Sequence, residues 1–531
     1  MLARAVVPAR ALAGRLSIVL AGIALLGTLA CAANSPGIAG GQAVASATQW
    51  LVSGRVTVQG RETHEGVAVW ATKLSGEVTA EVVAEGLEVP WALDFAPDGR
   101  IFITERSGRV RIVRDGVLQK EPFAIVDVAN VSESGLMGLA LHPQFEANGH
   151  LFVCYTYKAP SGQLRNRVAR LTDVRGIGSG HRVILDDIPA ARNHDGCRLG
   201  FGPDGKLYVT MGDAQEPDQA QNLESLSGKI LRLEADGSVP SDNPFSGSYV
   251  YTYGHRNPQG LDWHPETGDL FITEHGPNTD DEINILQPGV NYGWPNGLGV
   301  TGDPRYVDPI IAYTPTLALA GAAFYAGDRL PEEWKGNLLF ANLKASHLRR
   351  IVLEPPNFRT VASQQVLFQD QFGRLRAVAL SPDGYIYFTT SNRDGRGRPR
   401  PGDDKLLRLV RTTAEPPTAS LTNGQGEFSL ELAPGEYSLR WSLPGFLGVA
   451  QSIEVPSDSG LKLEDITLLA GDLDGDGDVD EEDSGLMGDA FALPPSQEPP
   501  ADLNADGVVD VLDLALLGSN WGETKVSPGS P

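Results

Sequence analysis

Cysteine is scarce: 531 residues hold three, Cys31, Cys154 and Cys197. A fold stapled by many disulfides is therefore excluded. Basic charge is short too, with 43 Lys and Arg against 67 Asp and Glu and a formal net charge of −24. Binding a phosphate backbone needs a clustered cationic face, so a nucleic-acid partner is excluded as well. Outside the N-terminus no stretch reaches the ~20 apolar residues of a membrane span. The apolar N-terminal run, residues 16–30, follows Arg4, Arg10 and Arg15 and ends among the small residues Ala30 and Ala32. A positive start, an apolar centre and an A-x-A end read as an export signal over residues 1–32, which implies a secreted, periplasmic or cell-surface protein. Cys31 leaves open a second outcome, a lipid anchor on that residue. Without this segment only Cys154 and Cys197 remain, and the expectation is two buried free thiols rather than one bridge.

What is abundant is turn chemistry, 61 Gly and 37 Pro, which points to a mainly β protein. Six segments share one outline of apolar strand, turn and apolar strand: WALDFAPDGRIFITE, LMGLALHPQFEANGHLFVCYT, CRLGFGPDGKLYVTMGD, GLDWHPETGDLFITE, GAAFYAGDRLPEEWKGNLLFANL and LRAVALSPDGYIYFTT. Their turns fall near Pro97, His142, Pro203, His264, Gly327 and Pro382, at blade-sized spacings of roughly 45 to 60 residues. A six-bladed β-propeller over residues 77–411 follows. The Asp-Gly tips supply the positive φ of tight hairpins, and the Val, Ile, Leu and Phe of the strands suit packing between blades.

The flanks are not blade-like. Residues 50–76 hold two short strands, WLVSGRVTVQG and GVAVWATKL, and residues 412–470 hold TASLTNGQGEFSLELAPGEYSLRWSLPGFLGVAQSIEV. The later segment resembles the second half of a carboxypeptidase regulatory-like β-sandwich and the earlier one its missing first half. The propeller is then an insertion in a small β-sandwich, a splice that a ring with adjacent termini permits.

Residues 471–522 contain no Lys or Arg and two twelve-residue acidic loops, DLDGDGDVDEED and DLNADGVVDVLD. Oxygen side chains recur at loop positions 1, 3, 5 and 12, with glycine at position 6, the pattern that wraps a hard cation. The first set is Asp472, Asp474, Asp476 and Asp483; the second is Asp502, Asn504, Asp506 and Asp513. Asp478 and Val508, at position 7, offer backbone carbonyls. Aspartate at position 12 resembles dockerins, which implies a small helical calcium-binding module. It also implies a possible cohesin partner, with Glu481, Glu482, Val511 and Leu512 as candidate recognition positions.

The segment YGHRNPQGLDWHPETGDLFITEHGPNTDDEINILQPGVNYGWP strongly resembles the soluble sugar dehydrogenases of the glucose/sorbosone dehydrogenase family, which use pyrroloquinoline quinone (PQQ). The resemblance extends over about residues 87–410 and implies roles for particular positions. His194, in NHDGCRLGFGPDG, matches the catalytic base, with Asn193 where a residue orients it. Arg256 and Asn257 match cofactor and substrate contacts, Arg256 stabilising charge developing on the quinone. Lys344, Arg374 and Arg376 match the cations for the cofactor's carboxylates. Gly276 and Pro277 match backbone ligands of the Ca2+ that polarises PQQ; Glu282 and Tyr292 match ligands of a second Ca2+, with Asp281 a weaker candidate. Glu133 departs from the family pattern, which has Gln-x-Gly there. A carboxylate facing an anionic cofactor weakens binding unless it is protonated or turned away.

The resemblance implies an exported quinoprotein that oxidises an aldose sugar at its anomeric carbon and passes electrons to an external acceptor. A non-catalytic carbohydrate- or protein-binding propeller, displayed by the dockerin-like module, is the competing reading.

Overall fold

Strand is the dominant element in the computed structural model, which describes residues 48–413, 416–491 and 501–524. The export signal read from the sequence and Cys31 lie outside these residues. No helix among them is long and apolar enough to cross a membrane.

Each repeat nucleates one antiparallel sheet. In chain order the sheets begin with the strands Pro90–Phe95, Leu136–Leu141, Leu199–Phe201, Pro258–Trp263, Leu319–Phe324 and Leu375–Leu380. Within each sheet the following strands pair outward in order, as short hairpin loops require. The six first strands touch their neighbours in a closed circuit, the last beside the first.

A polar seam joins the sheets. The threonine near the end of the second strand donates its hydroxyl to a carbonyl of the next sheet's first strand: Thr104 to Met137 (2.6 Å), Thr210 to Pro258 (2.8 Å) and Thr273 to Ala320 (2.5 Å). Thr389 does the same to Pro90 (3.4 Å), which closes the circuit. All four are fully buried. A second device uses aspartate: Asp94 Oδ2 accepts from the Leu141 amide and Asp262 Oδ2 from the Phe324 amide, both at 2.7 Å. Removing one partner of a buried bond leaves the other unsatisfied, so Thr273→Val should cost about 1–3 kcal/mol. The measurement is the urea midpoint at constant m-value, and an unmoved midpoint would refute the seam as a source of stability.

The strand Ala68–Ala84 belongs to two bodies. Its C-terminal part, from Val78 to Ala84, pairs with Leu406–Thr413 as the outer strand of the sixth sheet. Its N-terminal part, from Ala68 to Lys73, pairs with Gly435–Ser442 and, on the other side, with Thr418–Leu421. Trp50–Val58 pairs with Glu427–Leu432, so early and late chain build facing sheets around Val52, Val69, Leu439, Trp441 and Leu468. That core runs on without a break into the acidic module, through Leu473, Val479, Met487, Leu503 and Leu517. Arg61 Nε donates to the Leu503 carbonyl (2.9 Å), and Asn520 Nδ2 donates to Gln59 Oε1 and to the Ala470 carbonyl (both 2.7 Å). On its other side the module reaches the first sheet, where Arg114 pairs with Asp480 at 3.3 Å and Asp478 at 3.6 Å.

Free thiols were expected, but Cys154 and Cys197 form a disulfide. The middle of the second sheet and the segment entering the third bring their Cα atoms to 5.6 Å, within bonding reach.

Candidate active site

Antiparallel pairing puts the starts of first strands and the ends of second strands at one end of every sheet. His194, Arg256, Asn257, Glu133 and Arg374 precede or open first strands, while Gly276 and Lys344 follow second strands. They therefore share one face.

His194 sits in a segment without regular structure and has φ of 67°, a conformation that costs an L-residue about 1–2 kcal/mol. Its neighbours hold it there. Asp195 accepts from Ser134 Oγ (2.8 Å) and the Ala191 amide (3.1 Å), the Gly196 amide donates to Asn257 Oδ1 (3.2 Å), and Cys197 is bridged. Position 212 has to be glycine, because a Cβ there would lie 2.0 Å from the His194 carbonyl oxygen.

The imidazole is held from both sides. Nδ1 lies 2.8 Å from Asp213 Oδ1, and Asp213 Oδ2 accepts from Trp294 Nε1 at 2.9 Å. Nε2 lies 3.0 Å from Arg256 Nη2. A guanidinium has no lone pair to offer, so Nε2 is the acceptor and Nδ1 carries the proton, donating it to Asp213. The network thus selects the Nδ1–H tautomer, with the Nε2 lone pair turned to Arg256. Asn193 was expected to orient this imidazole; its hydrogen-bond partner is instead Asp213, which is fully buried.

Arg256 also donates from Nη1 to the carbonyls of His275 (3.0 Å) and Gly276 (2.9 Å), and its charge sits 5.4 Å from the Trp294 ring centroid. Its Nε has no partner, nor has Nδ2 of the buried Asn257 or Nε of Arg106. Three donors without acceptors at one mouth ask for an acceptor-rich ligand.

Arg374 and Arg376 meet at Asp394, 2.7 Å and 3.7 Å from its Oδ2. Burial opposes ionisation of that carboxyl, yet the two guanidinium groups outweigh it and hold Asp394 below the usual carboxylate range. Arg374 Nη1 also donates to the Leu343 carbonyl, beside the exposed Lys344, whose ammonium reaches Thr316 Oγ1 at 2.8 Å. The three predicted cations are thus gathered at one place.

Glu133 is not the bare carboxylate feared from the sequence. Burial would raise it, but Arg396, 2.6 Å from its Oε1, and His275 hold it ionised below the usual range. The pair spans two loops at the rim, with the Arg396 side chain 59% exposed. Sequence reading missed Asp213, Trp294, Asp394 and Arg396.

The predicted metal ligands fare unevenly. Gly276 O already accepts from Arg256 and keeps one lone pair; Pro277 is exposed beside it. Asp281 accepts from the amide of Gly276 at Oδ1 and from those of Leu317 and Ala318 at Oδ2. The Tyr292 hydroxyl donates to the Ile285 carbonyl and accepts from the Gln287 amide. Each of the two side chains keeps one lone pair beyond these bonds. Glu282 differs: burial, then the charge of Glu274, pushes it up to about 8, and next to it the buried Asn284 Oδ1 lacks a partner. Glu282 Oε1 accepts from the Gly299 amide and Oε2 from Asn284 Nδ2, so the carboxylate with the unpartnered Asn284 oxygen beside it suits a hard cation.

The acidic loops are built alike. Asp483 Oδ1 accepts from the Leu473 and Asp474 amides and Oδ2 from Asp480, tying the loop's start to the helix Glu481–Ala490. Asp513 repeats this with Leu503, Asn504 and Asp510 before the helix Val511–Ser519. Asp472, Asp474 and Asp483 bring carboxylate oxygens within 4.8 Å of one another. Asp476 Oδ1 and Asp506 Oδ1 cap the position-7 amides of Asp478 and Val508, and Asp502 accepts from Asp506 and Gly507. Asn504 Oδ1 accepts from the Asp506 amide.

Known proteins resemble this chain in sequence and fold. The aldose sugar dehydrogenase YliI of Escherichia coli is 33% identical over 352 residues, covering 62% of this chain and 93% of its own. Quinoprotein glucose dehydrogenase B of Acinetobacter calcoaceticus is 30% identical over 410 residues, covering 59% and 85%. The solved PQQ-bound aldose sugar dehydrogenase of Streptomyces coelicolor superposes with a TM-score of 0.58 at 32% identity, covering 64% of this chain and all of its own. The Glucose / Sorbosone dehydrogenase family model matches residues 87–408, more than half of the sequence, and the chain belongs to that family.

Proposed function

We propose that the chain is an exported PQQ-dependent oxidoreductase that oxidises an aldose at its anomeric carbon. In this reading the six sheets are a six-bladed propeller inserted in a β-sandwich, followed by a dockerin-like calcium module. The observation that carries the chemistry is the chain Trp294–Asp213–His194–Arg256, set beside donors that lack acceptors.

PQQ, when bound, supplies the hydride acceptor. His194 Nε2 takes the proton of the anomeric hydroxyl as the hydrogen on that carbon leaves with its electron pair, so the sugar becomes a lactone. Arg256 must first give up Nε2 to the hydroxyl, which frees Nη2 for negative charge developing nearby. Asp213 keeps the proton on Nδ1 and stabilises the imidazolium that forms. Asn257 Nδ2 and Arg106 Nε meet acceptor atoms, and Lys344, Arg374 and Arg376 bind carboxylates. Calcium held at Gly276 and Pro277 would add Lewis acidity. An external acceptor removes the electrons.

The test is reconstitution of the purified protein with PQQ and calcium, followed by dye reduction over a panel of aldoses. Turnover that falls steeply in His194→Ala is expected. No PQQ-dependent absorbance and no turnover would return the chain to the recognition reading, in which the exposed Glu481, Glu482, Val511 and Leu512 face a cohesin-like partner.

Calcium makes a separate prediction. Its binding to the native state alone stabilises by about 2.7 kcal/mol per site at a hundredfold excess over Kd. Chelator-treated protein should therefore melt lower and recover with calcium. An Asp472→Ala/Asp502→Ala variant should lose most of that recovery, and full recovery would rule the two loops out as cation sites.

A further inference from the structure

The connections between second and third strands crown the face that carries His194. Four of them are short: residues 106–108, 159–163, 275–280 and 343–346. Two are long, residues 212–228 in the third sheet and residues 391–405 in the sixth. The third and sixth sheets stand across the closed circuit from each other, so these connections form opposite walls of the mouth. Their charges are opposite as well. Residues 212–228 hold no Lys or Arg, and Glu216, Asp218 and Glu224 are exposed. Residues 391–405 expose Arg393, Arg396, Arg398 and Arg400. The carboxylates of that turn are withdrawn from solvent: the Asp394 side chain, shared by Arg374 and Arg376, is 3% exposed, and Asp403 and Asp404 are buried. Asp394 and the Arg396–Glu133 pair tie the turn to the mouth.

On a chain of net charge −24 the general field repels anions, and a wall of exposed arginine reverses it locally. These four arginines take no part in the proposed attack on the sugar. The step still without a place on the molecule is the removal of electrons by the external acceptor. We propose that the sixth-sheet wall is where that acceptor docks, and that the acceptor is a small, diffusing anion. A bulky acidic partner would span the mouth and meet Glu216, Asp218 and Glu224, whereas a small anion reaches the arginines alone. The role rests on the proposed oxidation. Conversion of one aldose to its lactone releases two electrons and two protons, so two one-electron acceptors are reduced per turnover and the protons pass to solvent.

The experiment uses the full chain loaded with PQQ and calcium, with ferricyanide, a trianion, and hexaammineruthenium(III), a trication, as acceptors. Net charge alone predicts that ferricyanide reacts faster as salt is added. The expected result is the reverse, a kcat/KM that falls as ionic strength rises from about 0.01 to about 0.15 M and screening shortens from about 30 to about 8 Å. At the low ionic strength Arg398→Gln/Arg400→Gln should lower that kcat/KM about tenfold. Turnover with the trication, and the sugar's reduction of the loaded enzyme without acceptor, should stay unchanged. A second arm titrates the full chain without cofactor with hexacyanocobaltate(III), a redox-inert trianion, and saturable binding that the variant loses is expected. Binding retained by the variant would assign the anion to the cofactor's cations and overturn the proposal. So would ferricyanide kinetics untouched by the substitutions, or a loss confined to the sugar's kcat/KM. Absence of PQQ-dependent reduction by any sugar would instead refute the oxidation, and the acceptor role with it, while the hexacyanocobaltate titration still reports on the wall.

Discussion

Asp213→Asn should lower kcat for aldose oxidation by about 10²–10⁴-fold while leaving PQQ binding intact. Asp213 accepts from three donors: the His194 imidazole and the Gln215 amide at Oδ1, and Trp294 Nε1 at Oδ2. Asparagine has one acceptor oxygen and an amide nitrogen that only donates. If the nitrogen faces His194, Nδ1 has to accept and the proton moves to Nε2, where it meets Arg256 and removes the lone pair the reaction needs. If it faces Trp294, two donors collide and the imidazolium loses its anionic support. In the proposed mechanism either orientation harms the chemical step rather than cofactor capture, which is assigned there to Arg374, Arg376 and Lys344. Steady-state kinetics beside a PQQ titration separate these effects. Unaltered kcat in a fully loaded variant would remove Asp213 from the mechanism.

Replacing both bridged cysteines by serine should cost about 4 kcal/mol, from the loop entropy of a closure over 43 residues. The closed loop spans the outer strands of the second sheet and the segment that presents His194. Loss should therefore appear twice, as a lower urea midpoint and as a lower kcat, since His194 then keeps its unfavourable φ with one restraint fewer. Reductant added to the wild type should reproduce both changes. Equal midpoints for the oxidised and serine forms would show that the bridge contributes nothing.

The strands were legible because apolar runs ended by Asp-Gly tips declare both their length and their turns. The polar seam was not, since Thr104, Thr210, Thr273 and Thr389 find their partners in a neighbouring sheet, beyond any local pattern. Asn193 drew attention by adjacency to His194, whereas Asp213 stands nineteen positions away in sequence. A usable signal existed: Asp213 follows its strand where Glu105 and Glu274 end theirs, and all three carboxyls are buried near this face. Arg396 was hidden in an arginine-rich turn, and its pairing with Glu133 crosses 263 positions. Two cysteines alone do not announce a bond; their separation in space comes from the packing of two sheets.

The strand shared by the flanking sheets and the sixth sheet imposes a timetable on biosynthesis. Residues 68–84 are made early, yet their partners at 406–413 and 435–442 emerge more than three hundred positions later. Until then the outermost strand of the sixth sheet has no partner and the flanking sheets lack their later strands, so both finish together. Pairings this distant are slow to find. The nascent chain must therefore keep an adhesive edge out of trouble for most of its synthesis, and during any passage it makes in unfolded form.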